Sequence, residues 1–146
     1  MKSLFATSNE YTLALLRIVL GVIFFAHGAQ ATLGWFGGYG FHGTMQFFTQ
    51  VLGIPAIFAF LAIMAQFLGG IGLIVGFLSR IAAFGIGADM LVAVFKVHLA
   101  FGFFMNWSGA QKGEGYEYHL MVLAIVLVIM VTGAGALSID RAIAKA

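Results

Sequence analysis

The segment PAIFAFLAIMAQFLGGIGLIVGF, residues 55–77, decides the fold because it contains no charged side chain. A helix rises about 1.5 Å per residue, so a run of this length can cross a hydrocarbon core about 30 Å thick. Windows of about 19 residues find three more apolar runs, at residues 11–31, 81–104 and 118–137. The sequence therefore predicts an all-α protein, a four-helix transmembrane bundle forming a single membrane domain over residues 1–146.

The composition supports a membrane location and excludes several functions. Of the 146 residues, 62% are apolar and 8% are charged, whereas soluble domains have about a quarter of their residues charged. A soluble enzyme is therefore excluded, and the expected surroundings are the lipid bilayer. The absence of cysteine excludes disulfides, thiolate nucleophiles and cysteine-bound iron–sulfur clusters. A net charge of +2 cannot form a basic face, so no nucleic-acid partner is expected.

The positive charges predict the orientation in the membrane. Four spans place both chain ends and the second loop on one side of the membrane, and that side has four positive charges: Lys2, Arg80, Arg141 and Lys145. The loops on the other side have one positive charge, Lys112. By the positive-inside rule, both termini are predicted to be cytoplasmic. The first outward loop is predicted to hold an interfacial helix at residues 43–52, because its apolar side chains recur at helical spacing.

Polar residues inside the spans are the candidates for function, because a charge near mid-bilayer costs about 2.5–3.5 kcal/mol and persists only with a partner or a role. Arg17, Asp89 and the neutral Gln66 fall at similar depths, roughly 9–16 Å from the cytoplasmic side. The simplest interpretation is a structural ion pair between Arg17 and Asp89. A proton or headgroup relay is the alternative.

A second polar layer is predicted nearer the outer side. His27, His98 and His119, on three different helices, fall roughly 22–26 Å from the cytoplasmic side, at the level of Lys96. They could form an interfacial collar whose polar ends reach headgroup water. They could instead converge on an outer-half pocket for a quinone headgroup, an organic acid, a metal ion or haem. We expect His98 to face inward and Lys96 to extend toward the headgroups.

The chain resembles DoxX family membrane proteins along nearly its whole length. The resemblance rests on the following residues: Leu16-Arg17, Gly21, His27-Gly28, Gly34 to Gly38, Gly43-Thr44, Phe47-Phe48, Leu52 to Pro55, Gly69-Gly70, Gly76, Ser79-Arg80, Gly115 to Tyr118, Thr132 to Gly135 and Ser138 to Asp140. It implies a four-helix bacterial inner-membrane protein. Some members are associated with quinone-linked oxidation of sulfur compounds or with redox stress. Members often have Lys where Ala31 stands and Glu where Gln66 stands, and an amide cannot titrate.

These observations lead to one functional hypothesis and two alternatives. The hypothesis is a membrane subunit or partner of a redox system, such as the membrane subunit of a quinone-linked oxidoreductase. It binds a quinone-like or small redox-active molecule in a pocket in its outer half. The alternatives are a metal- or haem-binding bundle, with His27, His98 and His119 as ligands, and a non-catalytic assembly or transport protein. Oxidoreductase subunits or further copies of the chain are the expected partners. The predicted ligand-binding residues are His27, Gln30, Trp35, Gln66, Lys96, His98, Glu117, Tyr118 and His119.

Overall fold

The computed structural model describes residues 2–145, with side chains from Leu4 onward. This part of the chain is helical and contains no strand. Its α-helices are α1 (Lys2–Phe5), α2 (Tyr11–Leu33), α3 (Gly40–Gln46), α4 (Ala56–Val75), α5 (Ser79–Lys96), α6 (Glu117–Thr132) and α7 (Ile139–Lys145). Single 3₁₀ turns lie at Trp35–Gly37 and His98–Phe101, and a π-helical turn at Phe47–Val51 continues α3. The prediction of an all-α protein is confirmed.

The four apolar runs correspond to α2, α4, α5 and α6. By length and composition, α2 and α4 can cross a membrane, and α6 is a shorter apolar helix. The third run was predicted to be helical to residue 104, but α5 ends at Lys96 and gives way to the 3₁₀ turn. The backbone of Val97 leaves the helical region there, with φ −128° and ψ −58°. Hydropathy cannot detect this end, because the residues beyond it are also apolar.

A helix is present where the interfacial helix is predicted, with shifted bounds. It was expected at residues 43–52, and the structure has α3 from Gly40 followed by the π-helical turn that ends at Val51. The next helix, α4, begins directly after Pro55, whose fixed φ suits a helix start. Tyr39, Phe41 and Phe47 in this loop are exposed, as expected for side chains that meet a lipid boundary.

Glycines let α2 and α4 touch backbone to backbone. A Cβ atom on Gly28 of α2 would lie 2.4 Å from the Cα of Phe67, and one on Gly70 of α4 would lie 2.5 Å from the backbone N of Phe25. Neither distance is possible for a real side chain. By contrast, a Cβ on the neighbouring Gly69 would meet the side chain of Ile86 at 3.6 Å, an ordinary contact. Close approach of this kind is how small residues hold membrane helices together.

The remaining helices complete one packed core. Helix α4 also packs against α5, α5 packs against α6, and α6 returns to α2. Buried apolar side chains from all four helices meet in this core: Leu20, Phe24, Leu73, Ala83, Ile86, Met90, Val122, Val126 and Ile129. The two ends of the described chain lie together, because α1 packs against α7. Hydrogen bonds from Gly135 N to Thr7 Oγ1 and from Ala136 N to Glu10 O strengthen that contact.

The expected ion pair between Arg17 and Asp89 is not formed. The Arg17 side chain is 0% exposed and donates only to backbone carbonyl oxygens, all at one end of the molecule. The acceptors are Leu73 O and Ile74 O in the last turn of α4, and Ala134 O, Ala136 O and Leu137 O after α6. These carbonyls include the unpaired ones that a helix leaves at its C-terminus, where a positive charge is favourable. Helix ends and the nearby negative charge of Asp140 therefore compensate the guanidinium in place of Asp89.

Asp140 pairs with backbone groups at the start of α5, as Arg17 does at the end of α4. It is 2% exposed, and its Oδ1 and Oδ2 atoms accept hydrogen bonds from Leu78 N at 2.7 Å and Ser79 N at 2.9 Å. Backbone N–H groups at a helix N-terminus have no partner within the helix, and negative charge is favourable there. Through this contact, the segment after α6 holds the turn between α4 and α5.

Candidate functional site

Two of the three predicted histidines meet at the end of the molecule that lies opposite the chain ends. His98 lies in the 3₁₀ turn after α5, and His119 lies in the first turn of α6. Their ring centroids are 4.1 Å apart, with an angle of 42° between the ring planes. The early end of α5 makes this contact possible, because the chain turns at Val97 and brings His98 over α6. We call His98, Tyr118 and His119 the histidine cluster.

Two buried polar atoms in the histidine cluster have no hydrogen-bond partner among the described residues. His119 is 5% exposed, and its Nδ1 atom is buried without a hydrogen bond within residues 2–145. The hydroxyl of Tyr118, whose ring packs edge-on to that of His119 at 5.6 Å, is buried and unpartnered in the same way. A buried polar group without a partner costs free energy on the order of 1–3 kcal/mol. A buried polar atom without a partner calls for an explanation, and contact with a polar ligand is one such explanation.

The hydrogen bond of His98 defines which of its nitrogens is free. His98 Nδ1 lies 2.8 Å from the backbone oxygen of Glu114. A carbonyl oxygen only accepts, so Nδ1 must carry the proton in this contact. A neutral imidazole then has an unprotonated Nε2 that can accept a hydrogen bond. The histidine cluster therefore offers an acceptor at His98, a hydroxyl donor at Tyr118 and an imidazole of either character at His119.

The loop between α5 and α6 is folded back over the start of α6. Glu117 Oε1 accepts hydrogen bonds from Met105 N and Trp107 Nε1, both at 3.1 Å. Glu114 Oε2 accepts one from Asn106 N at 2.6 Å. Glu117 was predicted to bind the ligand, but its described contacts hold this loop. Because Glu114 is also the partner of His98, the loop sets the position of the histidine cluster.

Several predicted ligand residues lie apart from the histidine cluster. His27 is exposed on α2, and its neighbouring ring is that of Phe24 at 6.4 Å. Gln30 donates to Phe36 O at 3.3 Å within the first loop. Trp35 is 52% exposed, and its ring meets that of Phe36 edge-on. The side chain of Lys96 is exposed at the end of α5, the placement expected for a lysine that reaches headgroups.

Gln66 and Asp89 form a separate pair deeper in the molecule. Gln66 Nε2 on α4 donates to Asp89 Oδ2 on α5 at 2.8 Å, and Asp89 is 9% exposed. Gln66 was predicted to bind the same ligand as the histidines. Its described hydrogen bond is instead to the carboxyl group that had been assigned to Arg17, so the two polar layers contain different residue pairs from those predicted.

The described residues do not assemble a three-histidine metal site. Within residues 2–145, no group of three histidine, aspartate or glutamate side chains lies close enough together to hold a metal ion. A shallow cavity of about 340 Å³ lies in the segment between α2 and α4, lined by Tyr39, Gly43, Gln46, Phe47, Gln50 and Val51. None of the predicted ligand residues lines that cavity.

The sequence analysis did not predict the residues that hold the loop between α5 and α6. Glu114 and Trp107 lie in a polar, glycine-containing stretch between apolar runs, which predicts a loop but not its internal contacts. The only local signal was the pair of acidic residues just before the fourth run, where a helix N-terminus favours negative charge. The long-range roles of Arg17 and Asp140 have no local signal, because their partners are backbone atoms far along the chain.

Comparison with known proteins identifies the family. The DoxX family model matches residues 12–99. The chain is 30% identical to "Inner membrane protein YqjF" of Escherichia coli (strain K12) over 129 residues, which cover 88% of this chain and 89% of that protein. It is also 30% identical to "Putative oxidoreductase CatD" of Bacillus subtilis (strain 168) over 138 residues, covering 94% and 91% of the two chains. No solved structure matches significantly.

The family match includes α2, α4, α5 and His98, and it ends before α6. The two relatives extend the similarity over the rest of the chain, because each aligns with at least 88% of it. Together with the two helices long and apolar enough to cross a bilayer, these matches lead to one conclusion. The chain is a membrane protein that belongs to the DoxX family.

Proposed function

We propose that this protein is the membrane component of a redox system and binds the headgroup of a quinone-like molecule at the histidine cluster. The observation that carries the proposal is the pair of buried, unpartnered polar atoms, His119 Nδ1 and Tyr118 Oη, beside the contact between His98 and His119. A quinone headgroup has carbonyl oxygens that accept hydrogen bonds, and its reduced form has hydroxyl groups that donate them. The histidine cluster offers matching groups of both kinds.

The location suits a lipid-soluble ligand. We propose that α2, α4, α5 and α6 all cross a bacterial inner membrane as a four-helix bundle, with both chain ends on the cytoplasmic side. The histidine cluster then lies near the outer surface, next to lipid and close to water, where histidine can exchange protons. A bound quinone would supply two-electron chemistry, and the chain would bind and orient it. The similarity to a protein named as an oxidoreductase supports a redox partner.

Ligand extraction tests the proposal on protein purified from its native membrane. Protein purified in mild detergent is first scanned in the visible range and then extracted with organic solvent for quinone analysis. We expect co-purified quinone in wild-type protein and much less in His119→Phe, with an equal amount of lipid in both. His27→Phe is the matched control and should retain quinone, because His27 is exposed and outside the histidine cluster.

Other outcomes would overturn the proposal. A Soret band that disappears in His119→Phe would identify haem as the ligand. Equal quinone in both variants, or none in any preparation, would favour an assembly role without a bound redox molecule.

A further inference from the structure

Asp89 is a buried carboxyl group that the proposed quinone site does not use. It lies on α5 and is 9% exposed, and its one hydrogen bond within the described chain comes from Gln66 Nε2 at 2.8 Å. That contact engages Oδ2, and Oδ1 has no donor among the described residues. Gln66 is a neutral amide and brings no positive charge to the contact.

Asp140 provides a comparison, because it is a buried aspartate with more hydrogen-bond donors than Asp89. Both of its oxygens accept backbone N–H groups, at 2.7 and 2.9 Å. Those donors belong to the start of α5, where the helix favours negative charge. An ionised carboxylate needs several donors of this kind when it is buried. Asp140 has two, while Asp89 has one neutral donor.

The positive charges on the helix that carries Asp89 lie away from it, and the helix that donates to it has none. Helix α4 has no ionisable side chain. On α5 itself, Arg80 and Lys96 lie roughly 13 and 10 Å along the helix from Asp89. Arg80 donates to Met130 O, Val131 O and Ala6 O, and Lys96 is exposed.

The other helices that pack on this core add no compensating cation. On α2, Arg17 donates to five backbone carbonyls and His27 is exposed. On α6, the titratable groups are Glu117, Tyr118 and His119, all in its first turn. The rest of α6 is apolar apart from Thr132. An ionised Asp89 would therefore be a buried charge without a partner of opposite sign, which is strongly unfavourable.

We infer that Asp89 is a proton-binding site inside the membrane, a neutral carboxylic acid whose carbonyl oxygen accepts the Gln66 hydrogen bond. The ligand is a single proton, which the carboxylate takes up to form the acid. No electron transfer is involved, and no second molecule is needed. The site is separate from the histidine cluster, so it stands whether or not that cluster binds a quinone.

Infrared spectroscopy can test this inference on the intact protein in lipid. The chain has two aspartates, Asp89 and Asp140. Protein labelled with ¹³C at the aspartate side-chain carboxyl therefore gives isotope-shifted bands from these two groups alone. At pH 6 we expect one labelled aspartate in the C=O band of a carboxylic acid and one in the carboxylate bands. Asp140, with two backbone donors, is the internal control for the ionised form.

Two variants assign the bands. Asp89→Asn should remove the acid band and leave the carboxylate bands unchanged. Gln66→Leu removes the hydrogen bond to the carbonyl oxygen, so the acid band should move to higher frequency. The label alone decides the question if Asp89→Asn does not fold. Two carboxylates in wild-type protein at pH 6, or an acid band that persists in folded Asp89→Asn, would overturn the inference.

Discussion

At the scale of single residues, Arg17 holds together the end of the molecule where the chain ends lie. A guanidinium has five N–H donors in a rigid fork, and Arg17 donates to five backbone oxygens from two separate segments. Lysine offers a point charge on a flexible stem and cannot reproduce this arrangement. The residue therefore joins the end of α4 to the segment after α6.

Replacing Arg17 should destabilise the protein. We expect Arg17→Lys to lower the free energy of unfolding by roughly 2–4 kcal/mol, and Arg17→Met by at least as much, because buried carbonyls lose charge-assisted hydrogen bonds. Thermal unfolding in detergent, followed by circular dichroism, measures the loss. Arg141→Met is the matched control and should change stability by less than about 0.5 kcal/mol. Equal effects at the two arginines would contradict this account.

A double-mutant cycle tests whether Arg17 and Asp89 interact. Because Arg17 and Asp89 have different partners in the structure, the losses caused by Arg17→Met and Asp89→Asn should add within about 0.5 kcal/mol. A coupling energy well above that value would show that Arg17 and Asp89 interact as the ion pair predicted from their depth, and would contradict the contacts described above. Two charges at similar depth on different helices are compatible with pairing, but depth carries no information about backbone acceptors.

At the scale of helices, the contact between α2 and α4 depends on which glycine faces which backbone. The spacing of Gly69, Gly72 and Gly76 in the sequence predicts close packing at these glycines of the second span. The structure assigns the contact to Gly70, where a Cβ would lie 2.5 Å from the Phe25 backbone, and leaves room at Gly69. A rotation of about 100° per residue around the helix separates the two positions.

This difference gives a matched pair of substitutions. Gly70→Ala should force α2 and α4 apart and lower stability by at least about 2 kcal/mol, since the obstructing atoms are backbone. Gly69→Ala should be neutral or stabilise by up to about 1 kcal/mol, because alanine favours helix and its methyl group meets a side chain at an ordinary distance. Unfolding of both variants in the same detergent is the measurement. Similar stability changes at the two positions would show that the assigned helix face is wrong.

The helix bounds show which features of the fold the sequence could predict and which it could not. Apolar runs predicted four helices because hydropathy and length are local properties, and their positions agree with α2, α4, α5 and α6. The end of α5 at Lys96 could not be predicted, since Val97, Leu99 and Phe101 continue the apolar run. The turn there depends on the contact of His98 with Glu114. Such a contact between distant parts of the chain leaves no periodic signal.

At the scale of the whole molecule, the described chain ends lie on one side and the histidine cluster lies on the other. Helix α1 packs against α7, Asp140 of α7 contacts the start of α5, and His98 follows the other end of α5. The charge distribution predicts which side is cytoplasmic. The natural chain has no cysteine, so a single introduced cysteine reports its own side without background labelling.

Cysteine labelling should verify the orientation. A cysteine replacing Ala144, exposed on α7, should be shielded from a membrane-impermeant thiol reagent added to intact cells and should react after lysis. One replacing Ala110, exposed in the loop before α6, should react in intact cells. Labelling of Ala144→Cys and not Ala110→Cys in intact cells would reverse the orientation. Ser3 and Ala146 are less suitable positions, because their side chains lie outside the described residues.

The candidate site could be predicted only in part. Equal depth predicted three converging histidines, and the structure joins His98 to His119 while His27 is exposed. Depth fixes the level of a side chain along its helix axis, but the direction around the axis depends on packing. On α2 the buried face contains Leu20, Phe24 and Gly28. His27 lies beside that face, at the helix surface.

Quinone binding to a variant series tests the central claim most directly. In a Trp35→Phe background, Trp107 is the remaining tryptophan, and its indole is hydrogen-bonded to Glu117 beside the histidine cluster. Titration with a short-chain quinone in detergent should quench its fluorescence saturably. Binding should weaken at least about tenfold, or 1.4 kcal/mol, in His119→Phe and in His98→Phe, and should be unchanged in His27→Phe. Equal affinity in all four proteins, or quenching that never saturates, would contradict the account.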